Sequence, residues 1–272
     1  MPDAFPWHLS LPFIASVLFA FGLIIVKKAT QQGASSWAVT IVANFWAALL
    51  FSVLWPLGGA TEPWYMLWQP AVIAIVYMGG QICTFLAIHR GDVSVAAPVF
   101  GVKVLIVAVL LTTMEGESLS WQVWLAAVSA ALGVALIQRN DHGARHHHVI
   151  ASIFFALLAA GGFALFDVLV QRWAPAWGPG RLLPWVFWLS AVMTLPLLWL
   201  IDFRDAGNRR ALTPVVMGGL LIALQSVLIV LAIAFYGDAA RVNIVYSMRG
   251  LWGVAFAWAF ASWIGGGEQH VP

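Results

Sequence analysis

The sequence predicts an all-α integral membrane protein, in which two inverted repeats of five-plus-four transmembrane helices form one bundle. Three observations predict it. The first is composition. Of 272 residues, 62% are hydrophobic and 9% charged, with a mean hydropathy of +0.91. Soluble domains carry about 25% charge, so too few polar side chains remain here to cover a water-facing surface. The second is run length. Apolar stretches of helical length recur between short turns, and about 20 residues of helix cross roughly 30 Å of hydrocarbon. Such runs are too long for barrel strands, and a helix satisfies its own backbone polar groups inside lipid. The third is an internal echo. Gly91-Asp92 opens an apolar run that holds Lys103 and closes at Gly116-Glu117; Gly237-Asp238 opens a second run that holds Arg249 and closes at Gly267-Glu268. One interval separates Gly91 from Gly237, Asp92 from Asp238, and Lys103 from Arg249.

Taken in order, the spans are expected at 11–30, 37–57, 70–89, 93–114, 121–138, 149–171, 181–201, 213–236 and 239–264. The N-terminus lacks a basic region before Leu11–Val26, so that stretch reads as a first span and not a cleaved signal. The connections carry turn chemistry: Gln32-Gly33-Ala34-Ser35, Leu57-Gly58-Gly59, Gly91-Asp92, Trp177-Gly178-Pro179-Gly180 and Gly237-Asp238. Links this short make neighbouring helices antiparallel.

The most polar interruption, Arg139–His148, divides the chain near its midpoint. It separates a first repeat of five spans (1–138) from a second of four (149–272), with 139–148 as linker. Both halves begin alike, with Phe21-Gly22 before Gln31 and Gly162-Phe163 before Gln171. Five spans is an odd number, so the second repeat enters the membrane upside down, the plan of many secondary transporters. The second half ends one span short, either as a nine-span variant or as a chain that continues past Pro272. Lys27, Lys28, Arg90, Arg139, Arg145, Arg204, Arg209 and Arg210 fall on one side, against Arg172, Arg181 and Arg241 on the other. By the positive-inside rule that places the N-terminus outside.

The candidate site residues follow from cost. A basic residue at a helix centre costs about 2.5–3.5 kcal/mol on insertion scales, so Lys103 and Arg249 should face the interior or a wet cavity. They either attract an anionic or carboxylate-bearing solute or staple the two halves together. Tyr246 and Trp252 stand at helical spacing from Arg249, where they can hold its guanidinium by cation–π contact. Asn243 and Tyr246 fall on one face of the ninth span with Ser247, Gly250 and Gly253. Gln81 and Gln225 lie in the spans before the two Gly-Asp turns, and with Asn44 are candidate cavity groups. Asp167 is the one acid well inside an apolar run, a proton site or an ion-pair partner of Lys103 or Arg249. Pro98 lacks an N–H and is the candidate hinge. Glu117 should stabilise the start of the fifth helix through its dipole.

The run Phe85–Ile137 resembles the C-terminal part of an EamA repeat of the drug/metabolite transporter superfamily. The carrying residues are the turn Gly91–Ser94, the proline Pro98, the Gly116-Glu117 turn, and the small-residue helix through Ala126, Gly133 and Leu136. Val230–Glu268 repeats the turn and the Gly-Glu, with Ile244 in the proline's place. The resemblance implies a ten-helix, inverted-repeat carrier of small metabolites with a central cavity built by both repeats and both termini inside. The missing tenth helix and the basic-residue count depart from that pattern.

Other classes are disfavoured. The few Lys and Arg form no basic face, so nucleic acid is not an expected partner; the lipid bilayer, a small-molecule solute and a second copy of the chain are. His142, His146, His147 and His148 sit in the polar linker with no cysteine nearby and read as solvated. No histidine falls mid-span, and no Gly-Lys-Ser/Thr phosphate loop is present. No cofactor, metal or enzymatic activity is expected. The expected function is a secondary transporter in the plasma or inner membrane that works by alternating access. The alternative is a non-transporting membrane assembly or lipid-handling scaffold in which the buried cations are structural.

Overall fold

The computed structural model describes residues 6–60, 62–89, 99–137, 149–201 and 209–259. Among these the structure is helical, with no strand. The helices are α1 (Ser10–Gln31), α2 (Ser36–Ser52), α3 (Trp68–His89), α4 (Lys103–Met114), α5 (Trp121–Ile137), α6 (Val149–Trp177), α7 (Pro179–Met193), α8 (Arg209–Tyr236), α9 (Ala239–Tyr246) and α10 (Arg249–Ala259).

Six of the expected spans are long and apolar enough to cross a membrane in one continuous helical stretch. They contain α1, α2, α3, α6, α7 and α8. The second and seventh end in 3-10 turns, Trp55–Leu57 and Leu195–Leu200. The fourth and fifth spans form shorter apolar helices, Val99–Met114 and Trp121–Gly133. The ninth is broken into α9 and α10.

The turns stop where the sequence marks them. Gly33, Gly58 and Gly178 have positive φ, which L side chains tolerate poorly. Gly178 ends α6 against the second turn, where an added Cβ would meet Gly59 Cα at 2.8 Å. α6 therefore runs six residues beyond its expected end, past Gln171 to Trp177. Pro175 lies inside its last turn.

The helices from the second half form the centre. In α6, α7 and α8 half of the most apolar window is buried, against 28–33% in α1, α2 and α3. The dominant packings come in matched pairs. α1 lies on α8 as α6 lies on α3; α2 on α8 as α7 on α3; α10 on α1 as α4 on α6. Close approach relies on glycine. A Cβ at Gly22 would meet Ile222 at 3.0 Å, and one at Gly162 would meet Gly80 Cα at 3.3 Å. Small residues let apolar helices bring their backbones together in lipid. Around this core Trp7, Trp64, Trp121, Trp199 and Trp258 stand strongly exposed near helix ends, as interfacial tryptophans do.

Candidate functional site: a buried polar cluster

Two helix breaks position the site. Residues 99–101 are helical and a turn at Val102 precedes α4, which starts at Lys103; α9 ends at Tyr246, Ser247 and Met248 form a turn, and α10 starts at Arg249. Both breaks use i→i−3 bonds: Val102 N–H to Val99 O at 3.1 Å, and Met248 N–H to Val245 O at 3.1 Å. In the second, the Ser247 hydroxyl donates to Ile244 O at 2.6 Å and competes for a carbonyl of the ladder. Each break lies immediately before its cation. The candidate hinge Pro98 lies outside the described residues.

Lys103 meets Asp167. Its Nζ is 2.7 Å from Asp167 Oδ2, with the side chains 12% and 3% exposed. Asn243 Nδ2 donates to the same oxygen at 2.7 Å and to Ala239 O at 2.9 Å. Because α6 continues to Trp177, Asp167 lies ten residues, about 15 Å, from the end of its helix.

Arg249 meets aromatic rings. Its guanidinium lies 4.6 Å from the Tyr246 ring centroid and 5.0 Å from that of Phe19. Tyr246 is the expected partner; the second is Phe19, not Trp252, whose indole N–H donates to Ser16 Oγ at 3.1 Å. Lys103 and Arg249 are near enough for like-charge repulsion. The buried Tyr246 hydroxyl donates to Gln225 Oε1 at 2.6 Å, and Gln225 Nε2 donates to Ser226 Oγ at 2.7 Å. Gln81 and Asn44 bond each other, Asn44 Nδ2 to Gln81 Oε1 at 2.8 Å and Gln81 Nε2 to Asn44 Oδ1 at 3.3 Å.

Lys103, Asp167, Asn243, Tyr246 and Arg249 thus gather into one cluster, with Gln225 bonded to it and Gln81 paired with Asn44. The expected small face of the ninth span does not persist through the break. Asn243 and Tyr246 are buried, whereas Gly253 is exposed with open space around it. Among the described residues, no group of His, Cys, Asp and Glu has metal-binding geometry.

A second polar layer closes the end of the bundle where α1 begins. Gln171 Nε2 donates to Glu117 Oε1 at 2.6 Å, and Gln171 Oε1 accepts the Ala239 N–H at 2.8 Å. Arg172 pairs with Glu115 at 3.3 Å, and His8 with Asp238 at 3.2 Å. Glu117 was expected to serve the dipole of the fifth helix; its oxygen instead holds α6. Burial pushes the Glu117 carboxyl above its ordinary range against the lowering bond from Gln171, and repulsion from Glu115 and Asp238 adds to the rise.

An open cavity of about 390 Å³ adjoins this layer, lined by Leu9, Ser120, Gln122, Val123, Ala126, Arg241, Ile244 and Val245. It touches neither Lys103 nor Arg249. The short helix α9 is the partition: Ile244 and Val245 line the cavity, while Asn243 and Tyr246 face the cluster.

Residues 6–139, which carry Lys103 and the first five helices, match the EamA-like transporter family. The chain belongs to the EamA-like transporter family. This is a transporter family of the drug/metabolite transporter superfamily. One solved structure, described only as a crystal structure of a protein, aligns over 98% of this chain and 91% of its own, with a TM-score of 0.69 and 13% identity. At that identity the likeness concerns the fold alone. No curated protein matches the sequence. This EamA chain is an integral, multi-pass membrane protein.

Three contributors escaped the sequence reading. Phe19 and Phe163, which flank the two cations at 5.0 Å and 6.0 Å, looked like ordinary apolar residues. Gln171 served only to align the halves. An uncharged amide one helical turn beyond Asp167 was the available signal.

Proposed function

We propose that the chain is a secondary carrier that moves a small anionic or carboxylate-bearing metabolite across the plasma or inner membrane by alternating access. The observation that carries this reading is the convergence of Lys103 and Arg249. Each follows a helix break at one register, and both reach a single buried cluster. Buried ionisable groups at broken helices are where carriers of this general plan bind solute. With Asp167 as the one acid among the cluster residues, two cations face one carboxylate, which leaves a net positive charge for an incoming anion.

The matched packings support two repeats, 1–138 and 149–272, joined by 139–148, with the second inverted. One repeat rocking against the other would expose the cluster to alternate sides. α9, with Gly237-Asp238 at one end and Ser247-Met248 at the other, is the moving partition between cluster and cavity. Asn243, Tyr246, Gln81 and Gln225 supply the polar contacts to solute. A homodimer is compatible with this arrangement.

A specific observation favours the scaffold reading: Lys103 and Asp167 already form a complete pair. Flux in proteoliposomes separates the two. Arg249→Ala, and the charge-neutral double variant Lys103→Ala with Asp167→Asn, should each abolish solute uptake while the protein stays monodisperse. Undiminished uptake in both variants would remove the cluster from the transport path. Misfolding of both would favour staples.

A further inference from the structure

We infer that Asp167 is a built-in stand-in for the transported anion, so that each anion taken up at Lys103 brings one proton onto the Asp167 carboxyl. The inference rests on the carrier reading above and adds its coupling. The Lys103 ammonium is already occupied, with Asp167 Oδ2 at 2.7 Å and both side chains almost wholly withdrawn from solvent. An anionic solute that takes Lys103 as its full counter-charge does so by displacing that oxygen. The displaced carboxylate has nowhere wet to go. Phe166, Val168 and Val170 beside it on α6 are buried, and Asn243 offers one uncharged donor.

A buried carboxylate deprived of its cation is among the costliest groups a protein can hold. One proton removes the charge, and the neutral carboxyl keeps an oxygen for Asn243 Nδ2. The exchange balances. The Lys103–Asp167 ion pair, one carboxylate anion and one proton become a Lys103–anion ion pair and a neutral Asp167. For a monovalent anion the loaded and empty cluster carry the same charge, so the transport step is electroneutral.

The groups around Asp167 fit this exchange. Lys103 comes from α4, Tyr246 from α9 and Arg249 from α10, each close enough to take part in the cluster's electrostatics. α3 contributes the Tyr77 ring, which packs on Phe166 at 5.0 Å. α8 contributes the uncharged Gln225 and Ser226, and α7 the apolar Phe187. Glu117, held by Gln171 one turn along α6, is a second carboxyl close by, so the Asp167→Asn control assigns the proton.

The test uses the full chain in lipid nanodiscs with acetate, succinate and inorganic phosphate as probes, recording proton uptake and infrared difference spectra on binding. The expected result is one proton absorbed per acetate bound, with a protonated-carboxyl band that disappears in Asp167→Asn. Acetate affinity should also fall about tenfold per pH unit on the alkaline side, as one linked proton requires. Acetate or succinate binding without proton uptake or that band would overturn the coupling while leaving the carrier reading in place. Binding of none of the three would overturn the anion-carrier reading and the coupling with it. If Asp167→Asn does not fold, Lys103→Met with Asp167→Asn leaves no unpaired charge and serves as the spectral control; a band that persists in it also refutes the assignment.

Discussion

Lys103 and Arg249 occupy equivalent registers, each just past a helix break, yet their surroundings differ. Lys103 is clasped by a carboxylate at 2.7 Å. Arg249 rests on the faces of Tyr246 and Phe19, and among the described residues meets no acid. The difference follows from the side chains. An ammonium is a compact, strongly hydrated charge, whose burial needs a full counter-charge. A guanidinium is planar and weakly hydrated, and it tolerates aromatic faces. One repeat therefore keeps its cation neutralised, and the other keeps a cation whose charge is spread but not cancelled.

The largest expected effect breaks the pair on the Lys103 side. Lys103→Ala leaves Asp167 buried without its cation, which costs about 3–5 kcal/mol. Lys103→Met with Asp167→Asn removes both charges and should restore most of that loss. Denaturant unfolding in detergent micelles measures both. Equal destabilisation of the single and double variants would show that the ion pair does not govern stability here. Next in size is Asn243→Ala, which deletes a hydrogen bond to a charged oxygen, worth about 1.5–3 kcal/mol. It should lose more stability in the wild-type background than in Asp167→Asn, where its acceptor is no longer a carboxylate.

The Arg249 side should respond less. Arg249→Ala strands no acid among the described residues and forfeits chiefly its cation–π contacts, about 0.5–2 kcal/mol. The same unfolding assay ranks it against Lys103→Ala. A cost as large as that of Lys103→Ala would mean that the guanidinium carries a structural load its aromatic neighbours do not explain.

How far the sequence foretold this cluster depends on the kind of interaction. Lys103, Arg249 and Asp167 stood out because a charge inside an apolar run is costly whatever the fold. Tyr246 stood out by helical spacing. The helix breaks at Val102 and Ser247-Met248 did not, because hydropathy reads composition while the breaks lie in hydrogen-bond pattern. Phe19 was invisible because its contact with Arg249 joins opposite ends of the chain. The end of α6 was set six residues too early, at Gln171, although the turn at Gly178 is what stops it.

The smallest expected effect asks whether a carboxylate held by an uncharged amide behaves differently from one held by a cation. Glu117 is that case, one turn of α6 away from the Lys103–Asp167 pair and bonded to Gln171 at 2.6 Å. Burial raises its carboxyl above the ordinary 4.5, with Glu115 and Asp238 adding repulsion. A folded-state pKa above the unfolded value means that the folded protein holds this proton more tightly. The resulting stabilisation is complete below the ordinary glutamate range and disappears as pH rises through the elevated value. Glu117→Gln keeps an oxygen for Gln171 Nε2 and cannot ionise. The part of the wild-type stability loss that occurs across that window should therefore vanish in Glu117→Gln. Unfolding midpoints from acidic to neutral pH measure this. If Glu117→Gln tracks the wild type throughout, the Gln171 bond holds the ionised carboxylate well enough that lacking a cation makes no difference at this end of the bundle.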